Sequence, residues 1–394
     1  MSGAHERADG VRRLVLESLD ASPQEREELL RYGANHFGDP DPTVPLVLPL
    51  EPEPHVEAWR GYEGAARCDG ALSELRRRLV QLRFPIRDGL ADTDEYRAAT
   101  RRGLPTEGMP SATGLDFESP ESVRLLLHAS PAGTVPVVVA GARADFVALV
   151  QALAYRNAPV PFPDSTGAYM VAGYVNLDRI ATLRASWEAD PEAKGSWSLE
   201  FKRLIGQKHL YQDRFILLAE GLYTGVDSGP LGVNDEDWIR ISLRIRMEHE
   251  CAHYFTRRVF GSMRSAALDE VIADYMGIVA GLGRFEPRLL LHVLGLEEDD
   301  GFRPGGRLAN YLGDPPLSAG AFRALQKIVR RAAESLKAFD GTLSYHDRGL
   351  AARGRTLLAL ASLTLEEMAA PDGADRLLEA RRQTAGLVCE TEGA

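Results

Sequence analysis

Residues 246–258 read RMEHECAHYFTRR, placing two histidines, two glutamates and a cysteine within a few turns of any helix they form. His249 and His253 are four apart, with Glu250 directly after the first, which is the pattern H-E-x-x-H. On a helix, positions i and i+4 share a face about one turn apart, so both imidazoles aim at one point. That geometry suits tetrahedral zinc, which accepts histidine nitrogen and carboxylate oxygen and, in catalytic sites, uses three protein ligands and an open fourth position. The third ligand has to come from another element. Cys251 is turned about 200° from His249 and cannot join both histidines, so it reads as a small buried apolar residue. Glu248 is also off the ligand face and reads as solvated or paired with an arginine.

Residues 268–277, LDEVIADYMG, supply the other element. Leu268, Val271, Ile272, Tyr275 and Met276 form an apolar helical stripe, while Glu270 and Asp274 share a different face four residues apart. A second helix therefore presents carboxylates to the first. Without a metal, the same residues would form a buried polar network between two helices, a costly way to bury so many titratable groups.

The set His249, Glu250, His253 followed by Asp269-Glu270-x-x-x-Asp274 resembles the gluzincin, or thermolysin-like, zinc metallopeptidases. The resemblance implies a zincin-like fold with Zn2+ held by His249, His253 and Glu270, and Glu250 as general base. It implies Asp274 as acceptor for the second N–H of His249, and Asp269 where the family has an asparagine that orients the second histidine. The link between the histidines and Glu270 is about two residues shorter than in that family. Tyr345 and His346, in SYHDR, stand downstream of Glu270 as candidates for the tyrosine and histidine that stabilise the oxyanion in that group; the plainer reading is a turn. Residues 248–277 also look like a segment of an uncharacterised bacterial protein family, a likeness that names no activity.

Arg257, Arg258 and Arg264 follow the motif closely. They can select an anionic substrate, although a helix C-terminus favours cations through its dipole in any case. Three functions fit these residues. The first is a zinc hydrolase acting on an amide or peptide bond. The second is a biosynthetic zinc enzyme that hydrolyses, cyclises or cleaves a small metabolite. The third is a silent zincin-fold binding protein, which the intact Glu250 disfavours.

The 394-residue chain is long enough for a large core, and its 44% apolar, 26% charged composition is that of an ordinary globular protein. A net charge of −11 argues against nucleic acid as partner, because phosphate binding needs clustered cations. Lysine occurs only at 194, 202, 208, 327 and 337, which suggests a GC-rich bacterial genome. Three cysteines, no signal-peptide pattern and no apolar run approaching ~18 residues point to a cytoplasmic protein with no membrane partner. Oligomeric state is not legible in the sequence. No phosphate-binding loop, dinucleotide fingerprint or nucleophile elbow is present.

Along the chain, SPQEREELLRYG reads as a helix with Ser22 as cap, Pro23 at its first position, Glu25 completing a capping box, and Gly33 or Gly38 at its end. Residues 39–57 are too rich in proline for a helix, and helix resumes at 70–82. From 131 the pattern becomes strand, helix, strand, helix, strand through TVPVVVAG, RADFVALVQALAYR, AYMVAGYVNL, DRIATLRASWEA and RFILLAEGLYTGV. Helical periodicity then covers 237–259, 266–280, 319–338 and 354–369, with Gly281 and Gly283 read as stops for the second of these. The expected architecture is α+β, with three consecutive regions. These are a helical and extended segment over 1–130, a small mixed α/β region over 131–234, and a mainly helical region over 235–394 that carries the metal site.

Overall fold

The structure, a computed structural model, describes residues 2–38, 46–164, 166–227, 232–262, 266–297, 301–384 and 386–390. In chain order its elements are α1 (Ser2–Glu17), α2 (Pro23–Tyr32), β1 (Leu46–Leu48), α3 (Val56–Asp69), α4 (Ala71–Arg78), α5 (Asp94–Arg102), β2 (Arg124–Ser130), β3 (Gly133–Ala140), α6 (Arg143–Tyr155), β4 (Ala168–Val175), α7 (Leu177–Ala189), α8 (Trp197–Leu204) and β5 (Gln212–Ala219). The helical part follows with α9 (Asp235–Phe260), α10 (Ala267–Leu282), α11 (Pro287–Leu294), α12 (Ala319–Thr342), α13 (Leu350–Ala361), α14 (Leu365–Met368) and α15 (Gly373–Thr384), closed by β6 (Val388–Glu390). The fold is α+β: a mixed four-stranded sheet with helices, then a mainly helical C-terminal part. None of the described helices is long and apolar enough to cross a membrane.

The chain forms two compact units, and neither is continuous in sequence. One comprises Met1–Glu51, Ser130–Gly133 and Val226–Ala394; the other comprises Pro52–Ala129 and Thr134–Gly225. This grouping differs from three consecutive regions, because the first 130 residues are shared between the units. The reason lies in packing that composition does not reveal. Trp59 and Tyr62 of α3 and Leu72 and Leu75 of α4 are buried in the same core as Val138 of β3, Phe146 of α6 and Phe215 and Leu217 of β5. The indole N–H of Trp59 donates to Asp213 at 2.8 Å, Asn176 donates to the same oxygen at 2.7 Å, and Arg179 to the other at 2.5 Å. Burying Asp213 among three donors satisfies its charge and fastens α3 to β5.

In the sheet, strand order is β2-β3-β5-β4, with β3 parallel and β4 antiparallel to β5. The run of valines in β3 is buried on both faces, as a central strand requires. Strand β2 was not read from the sequence; its burial is intermittent, and its apolar run is too short for periodicity to decide. In the other unit, β1 pairs in parallel with β6, which brings residues 46–48 beside 388–390. Helix α2 has the expected Ser22 cap, capping box and Pro at its start, and it ends at Gly33.

Helices α9 and α10 carry the motif residues, and two glycines allow them to approach closely. A Cβ at Gly277 would lie 2.6 Å from the carbonyl oxygen of Ile245, and one at Gly281 2.6 Å from the Ile245 side chain. Gly281 is thus a packing residue inside α10 rather than its stop, while Gly283, with φ of 76°, is the C-cap. Gly277→Ala is therefore expected to destabilise the protein. Overpacking against backbone costs ~1–3 kcal/mol, more than the helix-propensity gain of up to ~1 kcal/mol. Urea denaturation measures the balance, and a stabilised variant would contradict the close helix contact.

Candidate metal centre

All residues of the centre lie in the unit that contains α9 and α10. Helix α9 begins at Asn234, whose side chain accepts from Asp237 N–H, with Asp235, Glu236 and Asp237 in its first turn. It ends in Arg257 and Arg258 before Gly261 in the left-handed region. Charges and caps at both ends fix the register of a 26-residue helix. His249 and His253 project from its middle and are buried, each 8% exposed.

Their Nε2 atoms are 3.2 Å apart. Oxygens of Glu270, on α10, lie 3.6 Å from His249 Nε2 and 3.6 Å from His253 Nε2. The first of these is to Oε2 and the second to Oε1, so the two imidazoles each face a different oxygen of one carboxylate, and one ligand atom from each of the three residues lies within 4.8 Å of the others. The three side chains form a buried group that can hold a metal ion. His249 Nδ1 is 2.8 Å from Asp274 Oδ1, the acceptor expected from the sequence. With the Nδ1 proton directed to Asp274, the Nε2 lone pair of His249 faces His253 and Glu270.

Electrostatics treats the two histidines differently. Burial holds His253 down to about 4, against the pull of Glu270, so its imidazole is neutral at pH 7. Burial also disfavours charge on His249, but hydrogen bonding to Asp274 and the charges of Asp274 and Glu270 outweigh it and raise its pKa. Burial would raise Glu270 too, yet both histidines and Arg307 hold it below the usual carboxylate range. Three carboxylates, Glu250, Glu270 and Asp274, interact here with one guanidinium, Arg307. Carboxylates gathered around two imidazoles form an environment that attracts a cation.

Glu250 is adjacent and differently disposed. Burial raises its pKa and Glu270 adds to the rise, while His249 and Arg307 oppose it. Among the described residues no hydrogen bond or ion pair engages its carboxylate. It is a carboxylate with uncommitted oxygens beside the candidate ligands.

Sequence reading missed the group that holds Glu270 from behind. A short 3₁₀ turn over Arg307–Tyr311 places Tyr311 OH as donor to Glu270 Oε2 at 2.9 Å and Arg307 as donor to the same oxygen at 3.1 Å. Arg307 also reaches both oxygens of Asp274, at 3.2 and 3.0 Å. The turn is itself tethered: Tyr32 on α2 donates to the Tyr311 carbonyl at 2.6 Å and accepts from Ala267 N–H at the start of α10 at 3.3 Å. The GGRLANYLG run has too little periodicity to announce this role.

Other expected site residues are placed elsewhere. Tyr345 is 89% exposed and His346 is exposed beside it, on a turn held by Ser344 with Asp347, Asp347 with Arg381, and Arg348 with Asp340. The turn reading of SYHDR thus holds, and the phenol that reaches a candidate ligand is that of Tyr311. Asp269 is buried in the first turn of α10, where its charge acts on Tyr32. Arg258 donates to the backbone carbonyls of Glu51 and Ala132, at 2.8 and 2.6 Å, so it serves chain packing and not a substrate. Arg257 is exposed, and Arg264 lies outside the described residues. Cys251 is buried, and burial pushes its thiol well up, so it supplies no thiolate. Glu248 is not solvated: it is 1% exposed and bound by both terminal nitrogens of Arg353, at 3.1 and 2.5 Å.

Fold and centre together define an α+β protein with a buried His-His-Glu group able to hold a metal. The chain belongs to a family of unknown function, DUF7005, whose profile matches residues 14–372. No curated protein and no solved structure matches it.

Proposed function

We propose that this protein is a zinc-dependent hydrolase of zincin type that cleaves an amide or peptide bond, with His249, His253 and Glu270 as ligands and Glu250 as general base. One observation carries the reading: three buried side chains, His249, His253 and Glu270, each with a ligand atom within 4.8 Å of the others, stand beside a carboxylate with no partner among the described residues. When bound, zinc supplies Lewis acidity that polarises a carbonyl and lowers the pKa of water towards ~7.

The chain's own residues do the rest. Asp274 fixes the tautomer of His249, and Arg307 and Tyr311 fix the carboxylate plane of Glu270, so the donors converge without reorganisation. Glu250, with its proton affinity raised by burial, takes a proton from the attacking water and returns it to the leaving amine. Both transfers need a carboxylate free of other partners.

Elemental analysis of purified protein tests the proposal, and about one zinc per chain is expected. Protein that purifies without metal and takes up no zinc would overturn it. Zinc-loaded protein is then assayed on a peptide library and a panel of small amides. Cleavage of peptides supports a peptidase; cleavage confined to small amides assigns the same chemistry to a metabolite.

A further inference from the structure

We infer that the substrate of this centre carries an anionic oxygen group, a carboxylate or its equivalent, and that Arg257 binds it. The inference rests on the zinc-hydrolase reading above and adds the class of molecule that the site accepts.

Helical geometry sets out the argument. Arg257 lies seven residues after Glu250 and four after His253, which turns it only about 20° and 40° from them around the α9 axis. Counting back, Arg246, Glu250, His253 and Arg257 form a single stripe, i, i+4, i+7 and i+11. The stripe is turned about 140° from Ile245, measured to Glu250, and Ile245 is the residue on which Gly277 and Gly281 of α10 rest. Glu250 and Arg257 are therefore turned away from the line on which α10 rests, while His253, nearer to that line, faces Glu270 of α10. Along the stripe Arg246 and His253 are each 8% exposed, Glu250 is partly exposed, and Arg257, about 6 Å of helix rise beyond His253, is exposed.

The two neighbouring arginines are in different circumstances. Arg258, turned a further ~100°, spends its guanidinium on the carbonyls of Glu51 and Ala132. Among the described residues no hydrogen bond or ion pair engages the Arg257 guanidinium. A cation at a helix C-terminus gains from the dipole wherever it points, and Arg258 already provides one. What the dipole does not require is a guanidinium on the stripe of the base and a ligand histidine, one turn outward, with its five donors uncommitted. That fork matches a carboxylate in geometry and charge. A substrate held with its scissile carbonyl beside Glu250 and His253 and its acid group on Arg257 is oriented at two points, which is how binding energy is turned into positioning.

Hydroxamates, which chelate zinc, test this directly. A series of monohydroxamates of α,ω-dicarboxylic acids of three to six carbons is compared with methyl-terminated isosteres, by calorimetry on zinc-loaded protein whose metal content is measured first. At one chain length the carboxylate form is expected to bind wild type about tenfold tighter, as one charge-assisted pair supplies. Arg257→Gln should abolish that preference while leaving zinc content and affinity for the uncharged isosteres unchanged, and Arg257→Lys should restore part of it. Zinc-loaded wild type with no preference at any length, or a preference that survives in Arg257→Gln, overturns the role of Arg257 and leaves the metal assignment standing. Protein that holds no zinc overturns both.

Discussion

Glu250→Gln is expected to retain its zinc and lose turnover by about 10²–10⁴-fold, the usual contribution of a positioned general base. His253→Ala and Glu270→Ala are expected to lose both metal and turnover. The contrast follows from how each side chain is engaged. His253 and Glu270 offer two of the three donor atoms that converge, and removing either leaves a pair too few to hold zinc against solvent. The Glu250 carboxylate makes no hydrogen bond among the described residues, so its amide analogue keeps shape and burial and removes only basicity. Between these extremes, Arg307→Ala should weaken zinc binding by about 10–100-fold, because Glu270 and Asp274 lose the donor that fixes both carboxylates. Zinc titration with a chromophoric chelator separates the three classes. If Glu250→Gln releases its metal, the residue is a ligand and the assignment of base and ligands must be redrawn. If His253→Ala keeps a full equivalent, the donor triangle is not the binding site.

The pattern of what could be read beforehand has a physical basis. H-E-x-x-H and the Glu270–Asp274 pair were legible because helical spacing alone determines which side chains share a face, and both helices formed as their periodicity required. The Asp274–His249 contact followed from resemblance and was found at hydrogen-bond distance. Arg307 and Tyr311 were not legible: a five-residue 3₁₀ turn has no amphipathic repeat, and what brings it to Glu270 is a tether to Tyr32 almost 280 positions earlier in sequence. The discontinuous units were missed for the same reason. Nothing in residues 52–129 says that Trp59 will donate to Asp213, a partner 154 positions away. Conversely, Tyr345 and His346 were proposed from chain order, which carries no information about distance, and the structure leaves Tyr345 89% exposed.

Arg353→Ala is expected to destabilise the fold by about 3–5 kcal/mol, the cost of breaking a buried ion pair by removing one partner. Glu248, adjacent to His249 but on the opposite side of α9 from Glu250 and Arg257, is 1% exposed and faces Arg353 of α13 in a two-point contact. Arg244 lies 3.6 Å away, half-exposed, and is too distant to replace the lost donors. The pair pins the rotation of α9 against α13 one residue from the first candidate ligand. Denaturant unfolding measures the cost, and zinc affinity in the same variant reports whether the rotation of α9 matters to the centre. The double variant Glu248→Leu with Arg353→Met should recover most of the stability, because an apolar pair of similar size removes the unpaired charge rather than exposing it. If it also recovers zinc affinity, the ion pair acts only by keeping α9 in place. If stability returns and zinc affinity does not, the charge of Glu248 itself contributes to the field at His249. A loss below about 1 kcal/mol in Arg353→Ala would mean that water or Arg244 reaches Glu248, contrary to the burial seen here.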